Sequence, residues 1–92
     1  MSYFITRIEL HNATYVDYQR LHTAMESRGF SRKITVGGTV CHLPTAEYFH
    51  PDTVSTQGIL DKAKAAIAAT GKAAAVLVSH VADGLAEGLP AA

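Results

Sequence analysis

Phe30-Ser31-Arg32-Lys33-Ile34-Thr35-Val36-Gly37-Gly38-Thr39-Val40-Cys41-His42-Leu43-Pro44 carries a hairpin signature from which the rest of the chain is read outward. Two runs rich in β-branched residues flank Gly37-Gly38, a pair suited to the two positive φ angles of a tight hairpin turn. With a two-residue turn, Val36 opposes Thr39 and Lys33 opposes His42. Side chains alternate across a strand. Arg32, Ile34 and Val36 therefore share a face with Cys41 and Leu43, which reads as the core side, while Lys33 and His42 share the opposite face. A three-residue loop would invert this placement.

The pattern extends in both directions from the hairpin. Its first strand is expected over 30–36 and its returning strand over 39–49, with Pro44 marking a bulge or an edge position. Upstream, 3–10 reads as a strand with Phe4, Thr6, Ile8 and Leu10 on one parity and Arg7 and Glu9 on the other. Thr14 is placed as an N-cap with Asp17 as its capping-box partner. Tyr18, Leu21, His22 and Met25 form the apolar stripe of the helix that follows, and Gly29 stops it. Downstream, Ser55 caps a second helix running to about Thr70, with Gly71 as its stop and Ile59, Leu60, Ala63 and Ile67 on its buried face. The last strand is expected over 73–80. Residues 82–92 read as a flexible C-terminal tail.

The order β-α-β-β-α-β predicts an α+β, ferredoxin-like sandwich in one domain over 1–81. Its four-stranded, mainly antiparallel sheet carries both helices on one face. The other face has no helix to cover it, which leaves it for function or for a dimer interface.

Composition narrows the function classes. Over 92 residues, eight Lys and Arg balance eight Asp and Glu, so no global field draws the chain to nucleic acid. Arg7, Arg20, Arg28, Arg32 and Lys33 all fall within the first 33 residues, so any polyanion surface is local. An Ala-rich core without Trp makes a homodimer a reasonable expectation, because an interface adds buried area. The single Cys41 cannot close an intrachain disulfide, which fits a reducing, cytoplasmic setting. No run approaches the roughly 18 apolar residues of a spanning helix, and the N-terminus does not read as a signal peptide. No membrane role is expected.

If the polar parity of the first strand and the Lys33–His42 face both point outward, Arg7, Glu9, Lys33 and His42 meet on the open face. Such a set suits phosphodiester cleavage. His42 acts as base or acid, Glu9 assists, and Lys33 and Arg7 hold phosphate. RNA supplies its own nucleophile, the 2′-hydroxyl, so no cofactor or metal is expected. The competing reading is an ordinary solvated sheet face of alternating charge. His22 falls within an apolar stripe and reads as packed, His11 and His50 lie in loops, and His80 ends the last strand. No H-x-H, H-x3-H or H-E-x-x-H spacing points to a metal. Tyr3, Tyr15 and Tyr48 are weighed as base-stacking residues, but no RNP1 pattern accompanies them.

Several short words carry a resemblance: Arg7-Ile8-Glu9-Leu10, Asp17-Tyr18-Gln19-Arg20-Leu21-His22-Thr23-Ala24-Met25, Gly29-Phe30-Ser31-Arg32, Leu43-Pro44-Thr45-Ala46-Glu47-Tyr48, and Ala63-Lys64-Ala65-Ala66 with Thr70-Gly71-Lys72. Over 3–78 the chain resembles the GhoS-like family of small proteins. The resemblance implies a ferredoxin-like fold similar to that of the CRISPR adaptation nucleases. It also implies an antitoxin that acts as an endoribonuclease on the messenger of a membrane-lytic toxin. It supplies no catalytic motif, and Arg32, as a substrate-binding residue, and Glu47, which both fall within these words, join the candidates as second choices.

Three readings stay open at this point. One is an endoribonuclease on single-stranded RNA. Another is a protein-binding module, antitoxin-like or anti-defence, acting through an edge strand or the open face. The third is a structural homodimer.

Overall fold

The computed structural model describes residues 2–92. In chain order the elements are β1 (Tyr3–Leu10), α1 (Tyr15–Glu26), β2 (Lys33–Val36), β3 (Thr39–His42), β4 (Glu47–Pro51), α2 (Thr56–Ala68) and β5 (Ala74–Val81). The fold is α+β, with two helices and antiparallel sheets of three and two strands. β1 lies at the centre of the first sheet, between β4 and β5 and antiparallel to both. β4 and β5 therefore run parallel to each other, with α2 joining them across β1. That is a split β-α-β unit.

β2 and β3 pair only with each other in a regular ladder. The single four-stranded sheet expected from the sequence is thus divided, and local chemistry accounts for it. The strand expected over 39–49 breaks at Pro44-Thr45-Ala46. Pro44 offers no N–H to a ladder, Ala46 takes φ 66°, and the Glu47 N–H closes the turn on the Pro44 carbonyl at 3.1 Å. The strand expected over 30–36 splits as well. Ser31 bridges Phe49 of β4 through two backbone hydrogen bonds of 2.8 and 2.7 Å. The chain then bends at Arg32, and β2 begins only at Lys33.

The hairpin itself keeps the register read from its turn: Lys33 opposes His42 and Val36 opposes Thr39. Gly37 and Gly38 take φ 57° and 80°, which side chains resist.

The even parity of β1 builds the core. Phe4, Ile8 and Leu10 meet Leu21 and Met25 of α1, and Ile59, Ala63 and Ala66 of α2, with Phe30 and Tyr48 closing the same cluster. Each large side chain fully buried there contributes roughly 1.5–3 kcal/mol. Thr14 and Asp17 form the complete capping box of α1, and the Ser55 hydroxyl accepts the Gly58 N–H at the start of α2. Among the described residues, no helix is long and apolar enough to cross a membrane.

The odd parity of β1 faces away from the helices, but one end of that face is not bare. Ile34 and Val36 of the hairpin share a cavity of about 510 Å³ with Tyr3 and Ile5. The segment after β5 forms its other wall, and a Cβ on Gly84 would run into the Tyr3 hydroxyl. That segment then reaches β3, where the His42 N–H donates to the Pro90 carbonyl and the Ala92 N–H to the Val40 carbonyl, each at 2.9 Å.

Candidate functional site

Where the hairpin leaves β4, a groove of about 920 Å³ opens between the two sheets. Its volume lies within the range of small-ligand sites. Tyr3 and Phe49 form its floor from adjacent strands, with ring centroids 5.5 Å apart and planes tilted by 37°. Lys33 and Ile34 of β2 form one wall, and Pro51 and Asp52 close one end. Strand alternation explains the floor. Tyr48 and His50 turn inward, so Phe49 turns outward beside Ile5, its register partner on β1.

At the closed end, Asp52 collects two further side chains. His80 Nε2 lies 2.9 Å from Asp52 Oδ2, and the Ser2 hydroxyl donates to the same carboxylate oxygen. Both bonds hold the Asp52 carboxyl below its ordinary pKa, the Ser2 bond most strongly. The His80 ring stacks on Phe4 at 4.6 Å between centroids. Its side chain is 48% exposed and that of Asp52 36%, so solvent or a ligand reaches the pair.

The sequence-derived candidates fall into separate places. Arg7 and Glu9 share a shallow depression with Leu77 of β5, at the other end of the open face. Glu47 is the register partner of Arg7 on β4. Lys33 lines the groove, and His42 is its partner across the hairpin, exposed on β3. Arg32 lies toward the helix side, near enough to His22 and Tyr48 for its charge to act on both. The hairpin thus brings Lys33 and His42 together, and β1 brings Arg7 and Glu9 together. Among the described residues, no shared cavity or hydrogen bond joins the two pairs.

Two polar contacts on the helix side are structural. Tyr48 is fully buried in the core, where its hydroxyl shares a 2.6 Å hydrogen bond with His22 Nδ1. Burial lowers the His22 pKa, assisted by the Arg32 charge, and burial raises that of the Tyr48 phenol. His50, expected in a loop, lies in β4 and is buried. Its Nδ1 is 2.7 Å from the Pro51 carbonyl, which can only accept, so Nδ1 carries the hydrogen. Its Nε2 then accepts from Lys62 Nζ at 2.6 Å.

Phe49, Ser2 and Asp52 line the groove and were missed by sequence reasoning; the contact of Asp52 with His80, which lies on the helix side of the sheet beside Phe4, was missed as well. Phe49 was readable as outward-facing from the alternation Tyr48-Phe49-His50, once Pro44 is taken as a strand break. The Asp52–His80 contact joins residues 28 apart and follows only from the sheet order. No family model matches the chain, and neither a curated protein nor a solved structure shows significant similarity to it.

Proposed function

We propose that this chain is a GhoS-like, antitoxin-type protein that binds single-stranded RNA in the groove beside Tyr3 and Phe49 and cleaves it. One observation supports the reading above the others: two aromatic rings stand on adjacent strands of an open sheet face, with a lysine on the wall beside them. Sheet-based RNA binders stack bases on such rings and hold the backbone with positive charge. Lys33 is the phosphate contact of the groove, and Arg7 offers a second cation farther along the face.

The fold belongs with this proposal. With Ser31 counted as a reduced strand beside β4, the strand order is that of a ferredoxin-like sheet, and the hairpin becomes an elaboration at its edge. The antitoxin role rests on the sequence words that resemble the GhoS-like family.

The test is cleavage of a labelled, mixed-sequence single-stranded RNA, with EDTA and with Mg²⁺, by wild type and Lys33→Ala. Cutting that weakens in the folded variant supports the reading. Absence of cutting above a mock purification contradicts it.

One observation favours a second reading, a non-catalytic protein-binding module or homodimer. β5 is an eight-residue edge strand without Lys, Glu or Pro, and Leu77 on it is 63% exposed. Such an edge lacks the usual protection against pairing with another chain.

A further inference from the structure

We infer that β5 pairs edge to edge with β5 of a second copy of this chain, antiparallel, about a two-fold axis through Leu77. The inference rests on the second reading above for the exposed edge, and it adds the partner, the axis and the register. It is independent of RNA binding, because no β5 residue lines the groove.

The backbone supplies the pairing groups. The His11 N–H donates to the Ala73 carbonyl at 2.8 Å, one pair beyond Leu10–Ala74 in the β1–β5 register. Hydrogen-bonded and non-hydrogen-bonded pairs alternate along an antiparallel ladder. Ala75, Leu77 and Ser79 therefore bond β1, and the N–H and C=O groups of Ala74, Val76, Val78 and His80 point to the free edge. The other side of β1 agrees: the Ile8 N–H, of opposite parity, donates to the Ala46 carbonyl beside β4 at 3.0 Å. Among the described residues, no strand takes up the free row of β5.

The side chains select the partner. Ala75-Val76-Leu77-Val78-Ser79 has the same order of sizes in both directions, and an isologous interface needs such a self-matching patch. A two-fold axis at Leu77 sets Val76 opposite Val78 as a hydrogen-bonded pair, Ala75 opposite Ser79, and Leu77 opposite itself. In that non-hydrogen-bonded pair the Cα atoms stand about 4.5 Å apart, the closest spacing in the ladder. Leu77 is 63% exposed in the single chain, and its own copy covers it. Ala75 lies diagonal to the incoming leucine, within reach of a long side chain. There a shallow depression of about 200 Å³, lined by Arg7, Glu9 and Leu77, gives it room. On the helix side Val76 and Val78 are only partly buried, and the same pairing covers them further. β5 holds no Asp, Glu, Lys or Arg, so two copies meet without like charges. An axis at Val78 also satisfies the free edge, but it sets Leu77 against Ser79 and loses the leucine contact.

The test is sedimentation velocity of the full chain across the micromolar range. Wild type is expected to sediment as a dimer that dissociates on dilution. Leu77→Lys and Leu77→Glu each place like charges on the axis, and each is expected to raise the dissociation constant at least about tenfold. An equimolar mixture of the two is expected to recover the dimer, because opposite charges then meet. Leu77→Cys, made together with Cys41→Ser, is expected to form an intermolecular disulfide on mild oxidation. Ser79→Cys in the same background, which faces Ala75, is expected to form none. A wild type that stays monomeric overturns the inference and the homodimer reading with it. A dimer that survives in both charge variants, each folded by circular dichroism, overturns the β5 assignment and leaves a homodimer through another surface standing. Failure of both the mixture and the Leu77→Cys link overturns the register. The RNA reading stands or falls on cleavage alone.

Discussion

Thr6 is fully buried in the helix-facing row of β1, and its hydroxyl has no hydrogen-bond partner. An unpaired buried hydroxyl destabilises the folded state, whereas a methyl group of the same shape does not. Thr6→Val is expected to raise stability by about 1 kcal/mol, read as a higher urea midpoint. The opposite holds at Tyr48. Tyr48→Phe leaves buried His22 Nδ1 without its partner and is expected to cost about 1–3 kcal/mol. His22 also sets a pH dependence. Its folded-state pKa is lowered, chiefly by burial, so below the unfolded value the unfolded chain binds a proton that the native chain does not. Stability from this group is full above about pH 6.5 and falls as pH drops from there toward the folded-state pKa. Urea titrations across that range are expected to show the decline, and a folded His22→Gln variant is expected to show less of it.

At the scale of elements, the hairpin is the part that local chemistry specifies most tightly. Gly38→Ala places a Cβ at φ 80° and is expected to cost about 1–2 kcal/mol. Gly37→Asn, which such turns accept, is expected to leave the thermal midpoint nearly unchanged. Thr14→Ala removes the α1 capping box and is expected to cost about 1 kcal/mol. These are also the features that were legible in advance. A glycine pair, a Thr-x-x-Asp cap and the alternation of β1 each declare themselves within a few residues. The break between β3 and β4 did not. Its turn places Ala46, not a glycine, at positive φ, so the only local sign was Pro44. The bridge at Ser31 is equally silent, because a single pair leaves no periodicity. The candidate site suffered from the same limit. Lys33 was found from the hairpin register, whereas Asp52 and His80 meet only because β4 and β5 both flank β1.

For the whole molecule, the decisive feature is how the hairpin and the segment after β5 stand over the open face. They leave the Tyr3–Phe49 floor inside a groove instead of on a flat sheet, and they confine the positive charge of Lys33 to its wall. Tyr3→Ala and Phe49→Ala are each expected to weaken single-stranded RNA binding by about 1–3 kcal/mol, the usual contribution of one stacked base. Lys33→Ala is expected to reduce the slope of log affinity against log salt by about 1. Fluorescence anisotropy with a labelled oligonucleotide at several salt concentrations measures both. If β5 alone is the working surface, substitutions in the groove leave the protein's interactions unchanged.

The most direct test of the central claim, that the groove is a single-stranded RNA site, is an amide NMR titration of the full chain with a short single-stranded RNA. The expected result is shifts concentrated at Tyr3, Lys33, Phe49 and Asp52, with little change along α1. An absence of shifts at saturating RNA, or shifts confined to β5, would contradict it.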